Sequence, residues 1–481
     1  MSTAVLPRPA GPDAAGSAAP VGAAPAGTVP AHGPAADAPL LPVVGAGLTV
    51  PLVTGATVPY AQLDTAASTP ALAAVAARVA EVLPLYASVH RGAGYLSQVS
   101  TALYESARDR IAAFVGARDS DVCVVTRNTT DALAVLAGCV PAGAGVLVLD
   151  AEHHADLLPW QRRGDATVLA TPATAAETLA RLRAELGAER YALLAVTGAS
   201  NVTGEALPLA EVVALAHQSG TRVVVDGAQL VPHRRFSLAD SGADWVAFSG
   251  HKLYAPFGAG ALVGRRDWLD AGPAYLAGGG AVAEVTAAGA RWLAAPHRHE
   301  GGSPNVLGAV ALATACDALG ALPDGALDAH ERALRERLVA GLAGLPGVRV
   351  LRIWPDSGEP TGVVGFTVEG ADPGLLAAYL SAEHGIGLRD GRFCAHPLLA
   401  RLGVPGGALR ASVGVGTTAA DVDRLLAGLA AYLADGPSVA YAVVDGRWQP
   451  ADDPRPLAAL AGVDPGALAR GAGCGGPAGH P

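Results

Sequence analysis

Among the 33 basic side chains of this 481-residue chain there is one lysine, Lys252, and 32 arginines. Arginine replaces lysine wherever a surface cation is enough. It never gives up its proton in a protein, whereas a lysine amine can be deprotonated to act as a nucleophile or to form a Schiff base. The alternative is a leftover surface residue, so the neighbours of Lys252 decide. It lies in Phe248-Ser249-Gly250-His251-Lys252-Leu253-Tyr254, directly after a short apolar run, and 26 residues earlier another run ends in Val225-Asp226-Gly227-Ala228-Gln229. A Schiff-base lysine with a carboxylate facing a pyridine nitrogen is the minimum equipment for pyridoxal phosphate, because the carboxylate keeps the ring protonated and able to store electrons. The pairing predicts that cofactor.

The cofactor's phosphate needs a helix N-terminus with hydroxyl donors. Arg127-Asn128-Thr129-Thr130 follows the run Val122 to Thr126 and opens a helical stretch, and Ser249 and His251 can add donors from beside Lys252. Thr129 and Thr130 would serve equally as plain helix caps. Glu152-His153-His154 follows a run ending at Asp150, so an imidazole could lie over the ring. As a zinc pair, adjacent histidines point apart.

Positioning these residues requires an alternation of strands and helices. Val122 to Thr126, Val146 to Asp150, Tyr191 to Thr197, Arg222 to Asp226, Trp245 to Phe248 and Gly260 to Val263 read as strands. Asp131 to Cys139, Ala175 to Leu186 and Leu209 to Ser219 read as helices between them, the pattern of a mostly parallel sheet covered by helices. In such a sheet ligands bind outside the carboxyl ends of the strands, where Asp226 and Lys252 both fall. After about residue 310 the pattern becomes a smaller α+β unit. Its helices are expected near 305–320, 328–343, Pro373 to His384 and Ala419 to Leu433, and its strands at Val348 to Ile353, Val363 to Val368 and Ala408 to Val413.

The expected organisation is a disordered Ala/Pro/Gly-rich tail over 1–45, a large cofactor-binding domain with an N-terminal segment over 46–310, and a small C-terminal domain over 311–435. An extension over 436–481 completes the chain, partly disordered, with Tyr441 to Trp448 packing back on the body. Apolar residues make up 51% of the chain, enough for a sizeable core, and the net charge of −10 argues against nucleic acid or an anionic membrane as partner. Five scattered cysteines build neither a disulfide framework nor a paired zinc site, which fits a reduced, cytoplasmic setting. No apolar run is long enough to span a bilayer. Small metabolites are the expected substrates.

Four ordered segments, Glu152-His153-His154-Ala155, Ser200-Asn201-Val202-Thr203-Gly204, Val225-Asp226-Gly227-Ala228-Gln229 and Ser249-Gly250-His251-Lys252-Leu253-Tyr254, resemble the class V aminotransferase family. More narrowly, they resemble its group II cysteine desulfurase and selenocysteine lyase branch, over about Leu63 to Leu433. The resemblance implies an α/β, fold-type I pyridoxal-phosphate transferase, with a large domain built on a mostly parallel sheet and a smaller C-terminal α+β domain. It implies Lys252 as the Schiff-base residue, Asp226 at the pyridine nitrogen, His153 stacked on the ring and Gln229 on the ring oxygen. Asn201 would lie near the ring oxygen and the substrate, and Thr129, Thr130, Ser249 and His251 would bind the phosphate. The family is dimeric, and its Glu-x-Gly-Thr-Pro-Asn segment reaches the neighbouring subunit's phosphate. The matching Glu300-Gly301-Gly302-Ser303-Pro304-Asn305 keeps a hydroxyl at Ser303, which implies a homodimer with shared sites. The family's arginine for the substrate carboxylate falls on Arg410, with Arg389 assisting; a guanidinium fork suits a carboxylate.

The family's Arg-x-Gly-x-x-Cys-Ala segment reads Arg389-Asp390-Gly391-Arg392-Phe393-Cys394-Ala395 here, which makes Cys394 the implied sulfur-accepting nucleophile. Arg392 and His396, if folded close, would favour its thiolate; a small buried cysteine is the alternative. The activity implied is removal of sulfur from cysteine to give alanine and a Cys394 persulfide, passed to a sulfur-acceptor protein. The rival is a class V transamination or lyase reaction on another amino acid, with Cys394 incidental. The chain also departs from the desulfurase pattern: Gly94 stands where His-Arg-Gly-x-His has its second histidine, Arg392 and Phe393 stand where histidines are common, and Asp156 takes a place usually held by asparagine.

Overall fold

The structure, a computed structural model, describes residues 36–456. Seven strands form the central sheet: β1 (Asp121–Thr126), β2 (Val146–Leu149), β3 (Ala166–Leu169), β4 (Leu193–Thr197), β5 (Arg222–Asp226), β6 (Trp245–Ser249) and β7 (Gly260–Arg265). They lie in the order β1-β7-β6-β5-β4-β2-β3. The pairs from β3 to β6 are parallel, and β7 alone runs against its two neighbours. Each of the interior strands is a continuous apolar run because both faces are covered. Alternation along the strand divides it between them: Leu147 and Leu149 of β2 enter one core cluster, Val146 and Val148 the other.

Helices α1 (Tyr95–Phe114), α4 (Ala175–Ala188), α5 (Leu209–Gln218) and α6 (Val306–Gly320) share the first of these clusters. Helices α2 (Thr129–Cys139) and α3 (His154–Arg163) share the second. Two of these elements lack a clear sequence signature. The edge strand β3 is mostly solvent-facing, and α3 contains Pro159 within a largely polar stretch.

A second sheet is antiparallel throughout and follows the order β8 (Val348–Val350), β9 (Val363–Val368), β11 (Ala408–Ser412), β10 (Arg389–Gly391). Helices α7 (Ala326–Ala343), α8 (Pro373–His384) and α9 (Ala419–Asp435) pack around it through Leu334, Leu338, Leu380, Val422 and Leu425. In this sheet Arg389 of β10 is the direct partner of Arg410 of β11. The segment at residues 61–64 joins it too: Leu63 N donates to Gly387 O (2.8 Å) and Ser412 N to Leu63 O (2.7 Å). That stitching places Asp64 beside β11.

The disorder expected up to residue 45 does not hold for residues 36–45. Ala36 is buried and accepts from Ala419 N (2.8 Å), Leu40 N donates to Val415 O (2.7 Å), and Leu40, Leu41 and Val43 pack on the core. These few apolar side chains, among the small residues around them, offset the cost of ordering the segment. Residues 1–35, and 457–481 with Cys474, lie outside the described residues. A hairpin of Tyr441–Val444 and Arg447–Pro450 packs on α8, with Tyr441 Oη donating to Glu383 Oε1 (3.0 Å). Among the described residues no helix is long and apolar enough to cross a membrane.

Candidate active site

Five strand ends converge on one cavity of about 300 Å³. Thr129 and Thr130 follow β1, His153 follows β2, Asn201 follows β4, Asp226 closes β5, Ser249 closes β6, and His251 and Lys252 follow it; all eight line the cavity. The second sheet closes the other side with Arg389, Phe393, Cys394 and Arg410. Such a cavity, at the carboxyl edge of a parallel sheet, is where a ligand meets helix N-termini and backbone donors.

At the α2 N-terminus the helix cap is Asn128, whose Oδ1 accepts from Asp131 N (2.9 Å). The threonines are therefore not spent on capping. Thr129 Oγ1 and Ser249 Oγ lie 2.7 Å apart, and Thr129 N donates to the same Ser249 oxygen at 2.7 Å. Backbone N–H groups, hydroxyls and the positive end of an 11-residue helix are thus gathered at one wall. Asparagine is a favoured N-cap, and Asn128 fills that role here.

The glycine of Ser249-Gly250-His251-Lys252 has a steric reason. A Cβ there would stand 2.8 Å from Ala259 O and 3.0 Å from Ala255 O, so only glycine lets β6 turn sharply enough to bring Lys252 into the cavity. Burial pulls the Lys252 amine below its ordinary pKa, Asp226 opposes this, and Arg410 adds to it. Asp226 is buried, and its Oδ1 accepts from Ala228 N (2.9 Å).

His153 caps α3, Nδ1 accepting from Ala155 N (3.0 Å), so the ring orientation is held by the backbone. Burial first, and then Lys252, His154 and Arg410, push its pKa down to about 3. The imidazole is neutral at physiological pH and can lie against a flat ring without adding charge. Gln229 does not reach the cavity wall. It is buried, donates from Nε2 to Ala66 O (2.7 Å), and leaves Oε1 without a partner.

Phe393 and Cys394 both adopt left-handed backbone conformations, φ 51° and 52°, which non-glycine residues take only where surroundings hold them. Three anchors do so: Asn201 Nδ2 donates to Phe393 O (2.8 Å), His154 N to Cys394 O (2.8 Å), and Ala395 N to Arg392 O (2.9 Å). The turn presents a partly exposed Cys394 to the cavity. The other described cysteines are buried, with burial raising the thiols of Cys123 and Cys139 to about 12 and that of Cys316 well above its usual value. Arg392 and His396 do not line the cavity; the His396 ring packs edge-on to His154 with centroids 4.5 Å apart.

Arg410 is buried. One terminal nitrogen donates to Asp64 Oδ1 and the other to Asn201 O, both at 2.9 Å, while Nε has no partner. Asp64 is separated from Arg410 by 346 residues, and nothing in its local sequence marks it. Ser303 is exposed and stands outside this cavity in the single chain, directly after a clamped stretch. Glu300 accepts from Arg108 (2.6 and 2.9 Å), Tyr104 Oη (2.9 Å) and Val125 N (2.7 Å), and Arg91 donates to Gly302 O (2.9 Å).

The profile of the class V aminotransferases matches residues 61–425. A probable cysteine desulfurase of Vibrio cholerae is 36% identical over 382 residues, covering 77% of this chain and 93% of that protein. A cysteine desulfurase of Dickeya dadantii is 37% identical over 383 residues, covering 77% and 91%. Among solved structures, a cysteine desulfurase of Escherichia coli superposes with a TM-score of 0.70 at 34% identity, covering 78% of this chain and 94% of that one.

Proposed function

The chain belongs to the class V aminotransferase family, in its cysteine desulfurase branch, and we propose that it is a pyridoxal-phosphate enzyme that takes sulfur from cysteine onto Cys394 and releases alanine. The observation that carries this reading is the meeting of Lys252, Asp226, His153 and Cys394 around one cavity, brought there from both sheets. The residues present fit the cofactor. Thr129, Thr130, Ser249 and His251 would hold its phosphate at the α2 N-terminus, Asp226 its ring nitrogen, His153 its ring face, and Asn201 the side of the ring oxygen, while Gln229, tied to Ala66 O behind the wall, is not placed to donate there. When bound, the cofactor supplies an electron sink for bond changes at the substrate's α-carbon.

The chain's own residues supply the rest. Arg410, assisted by Arg389, receives the substrate carboxylate; Arg410 Nε–H, buried and unpartnered, is a donor awaiting an acceptor. Lys252 Nζ, with a lowered pKa, can take a proton from the substrate α-carbon and return one to the product. Cys394 Sγ, as thiolate, attacks the substrate sulfur, and the carbon–sulfur bond breaks with its electron pair staying on carbon. Alanine leaves after that carbon is protonated, and the persulfide remains on Cys394 for an acceptor.

Purified protein given cysteine and a reductant tests this: alanine and sulfide appear in equal amounts. If only keto-acid products form, the enzyme is a transaminase or lyase and the desulfurase reading fails.

Arg410→Lys keeps the charge and removes the planar fork, so KM for cysteine is expected to rise about tenfold to a hundredfold, with a smaller change in kcat. Steady-state kinetics read this, and an unchanged KM rules Arg410 out as the carboxylate partner.

We also propose a homodimer in which Ser303 donates to the cofactor phosphate of the neighbouring subunit, supported by the rigid clamp of Glu300 and Arg91 on the segment that carries it. Ser303→Ala is expected to weaken cofactor retention about tenfold to a hundredfold, one hydrogen bond to a charged group. Equilibrium dialysis would detect it, and unchanged retention argues against the shared site.

A further inference from the structure

The turn that carries His153 hides two carboxyl groups that the reaction above does not use. Glu152 and Asp156 are both 0% exposed, and neither lines the cavity. They lie within hydrogen-bonding reach of each other, and both act electrostatically with Asp226 at the end of β5. Trp160 Nε1 donates to Asp156 Oδ1 (3.0 Å), which fixes that side chain. No donor makes a well-aligned hydrogen bond to Asp156 Oδ2 or to either carboxylate oxygen of Glu152; the Thr197 main-chain N–H reaches Glu152 only weakly.

Two facing carboxylates have no hydrogen to give, and unpaired buried anions of like sign are unstable. A single proton between them removes both faults, because it turns two orphaned acceptors into a donor and an acceptor. The other groups that face the pair do not substitute for it. The Thr197 main-chain N–H, at the end of β4, favours an ionised Glu152 but is outweighed by burial and by Asp156. Asp226 adds a third buried carboxyl, its own pKa pushed up by burial, and Lys252 acts on Asp226 from the cavity side. Among the described residues no ion pair is made by either carboxyl. An asparagine at position 156 would provide the same hydrogen permanently, from its amide. Aspartate makes it depend on a bound proton.

We propose that Glu152 and Asp156 share one proton and act as a positioning pair for Asp226, holding a single negative charge beside it and keeping the His153 turn closed. Loss of the proton leaves two repelling anions at the N-terminus of α3, one on each side of His153 in the sequence. Both Asp226 and His153 then lose their fixed setting. That Asp226 and His153 face a bound ring rests on the proposed function; the shared proton does not.

The sign of the pH dependence follows from linkage. A carboxyl whose pKa is raised on folding keeps its proton in the folded chain where the unfolded chain has lost it. Stability is then full at low pH and falls as pH rises above the ordinary carboxylate range. Asp156→Asn, in the full-length protein as purified, removes the proton requirement while keeping an acceptor for Trp160. Its thermal midpoint should match wild type near about pH 5 and exceed it by about 2 °C or more near about pH 9. The infrared band of a protonated carboxyl group, present in wild type at neutral pH, should disappear in the variant. Glu152→Gln supplies a permanent hydrogen from the other side and should shift both readouts in the same direction, which keeps the test open if one variant fails to fold.

Parallel melting profiles together with an unchanged infrared band overturn the shared proton. A uniform loss of stability at every pH does so as well, since it marks a merely structural aspartate. The positioning role has its own readout. The alkaline pH at which the purified protein loses its visible cofactor band should move upward in Asp156→Asn, and a band lost at the same pH in both proteins overturns that role even if the proton is found. Protein that purifies without any such band counts against the proposed function, and the melting and infrared tests of the pair still apply to it.

Discussion

Lys252→Ala is expected to lower cysteine turnover by about 10³-fold or more, the scale of removing a nucleophile that also moves the proton, and to abolish the visible band of lysine-linked cofactor. The reason is chemical rather than electrostatic. Lys252 is the chain's only side-chain amine, and no arginine nearby can replace it, because a guanidinium does not deprotonate. Lys252→Arg separates the two explanations. It keeps a cation opposite Asp226 and should fail as completely as alanine, whereas a role for charge alone would let it work. Absorbance spectra with an alanine-formation assay read both variants, and a variant that retains the band sinks the assignment. The fold should survive, since Gly250, which the turn requires, is untouched.

Cys394→Ser is expected to lose sulfide and persulfide formation by about 10²-fold or more while the cofactor band stays as in wild type. An alcohol is a far weaker nucleophile than a thiolate at neutral pH, so substrate can bind and lose its α-proton, but its sulfur has no acceptor. Mass spectrometry after one turnover should show wild type heavier by one sulfur atom at the peptide containing Cys394, and the variant unchanged. Cys316→Ala is the control. That thiol is buried in α6 with its pKa pushed well above the ordinary value, so its loss should leave the yield of sulfide intact. A Cys394→Ser enzyme that releases alanine and sulfide at the wild-type rate makes the cysteine structural and returns the chain to the transaminase or lyase reading.

The two variants probe opposite walls of the same cavity, and the sequence revealed those walls unequally. The Lys252 wall is local. A run of apolar residues, a carboxylate at the end of the preceding strand and hydroxyls before a helix can all be read within short windows. β5 was expected at Arg222 to Asp226 and is found there, and α8 was expected at Pro373 to His384 and is found there. Where the reading fell short, local signals were weak: β3 faces solvent at a sheet edge, and α3 carries a proline in a polar stretch. The tail failed for another reason. Leu40, Leu41 and Val43 are too few to suggest order by themselves, yet they meet a surface formed by residues near 415.

What the sequence determined by itself is the chemistry: one deprotonable amine, its carboxylate partner, a phosphate-binding helix start and a cysteine in a motif. Those depend on residue type and close spacing, which are written in the chain. Only the tertiary structure decided that Arg389 and Arg410 are register partners, that Asp64 and Asn201 hold Arg410, and that a left-handed turn pinned by His154 and Asn201 aims Cys394 at the cavity. It also decided that, among the described residues, Glu152 and Asp156 are sealed together without a cation partner. Each of these joins residues distant in sequence or depends on burial, and burial is a property of the packed whole: the same carboxyl is an ordinary anion in water and a proton holder once the strands and α3 have closed over it.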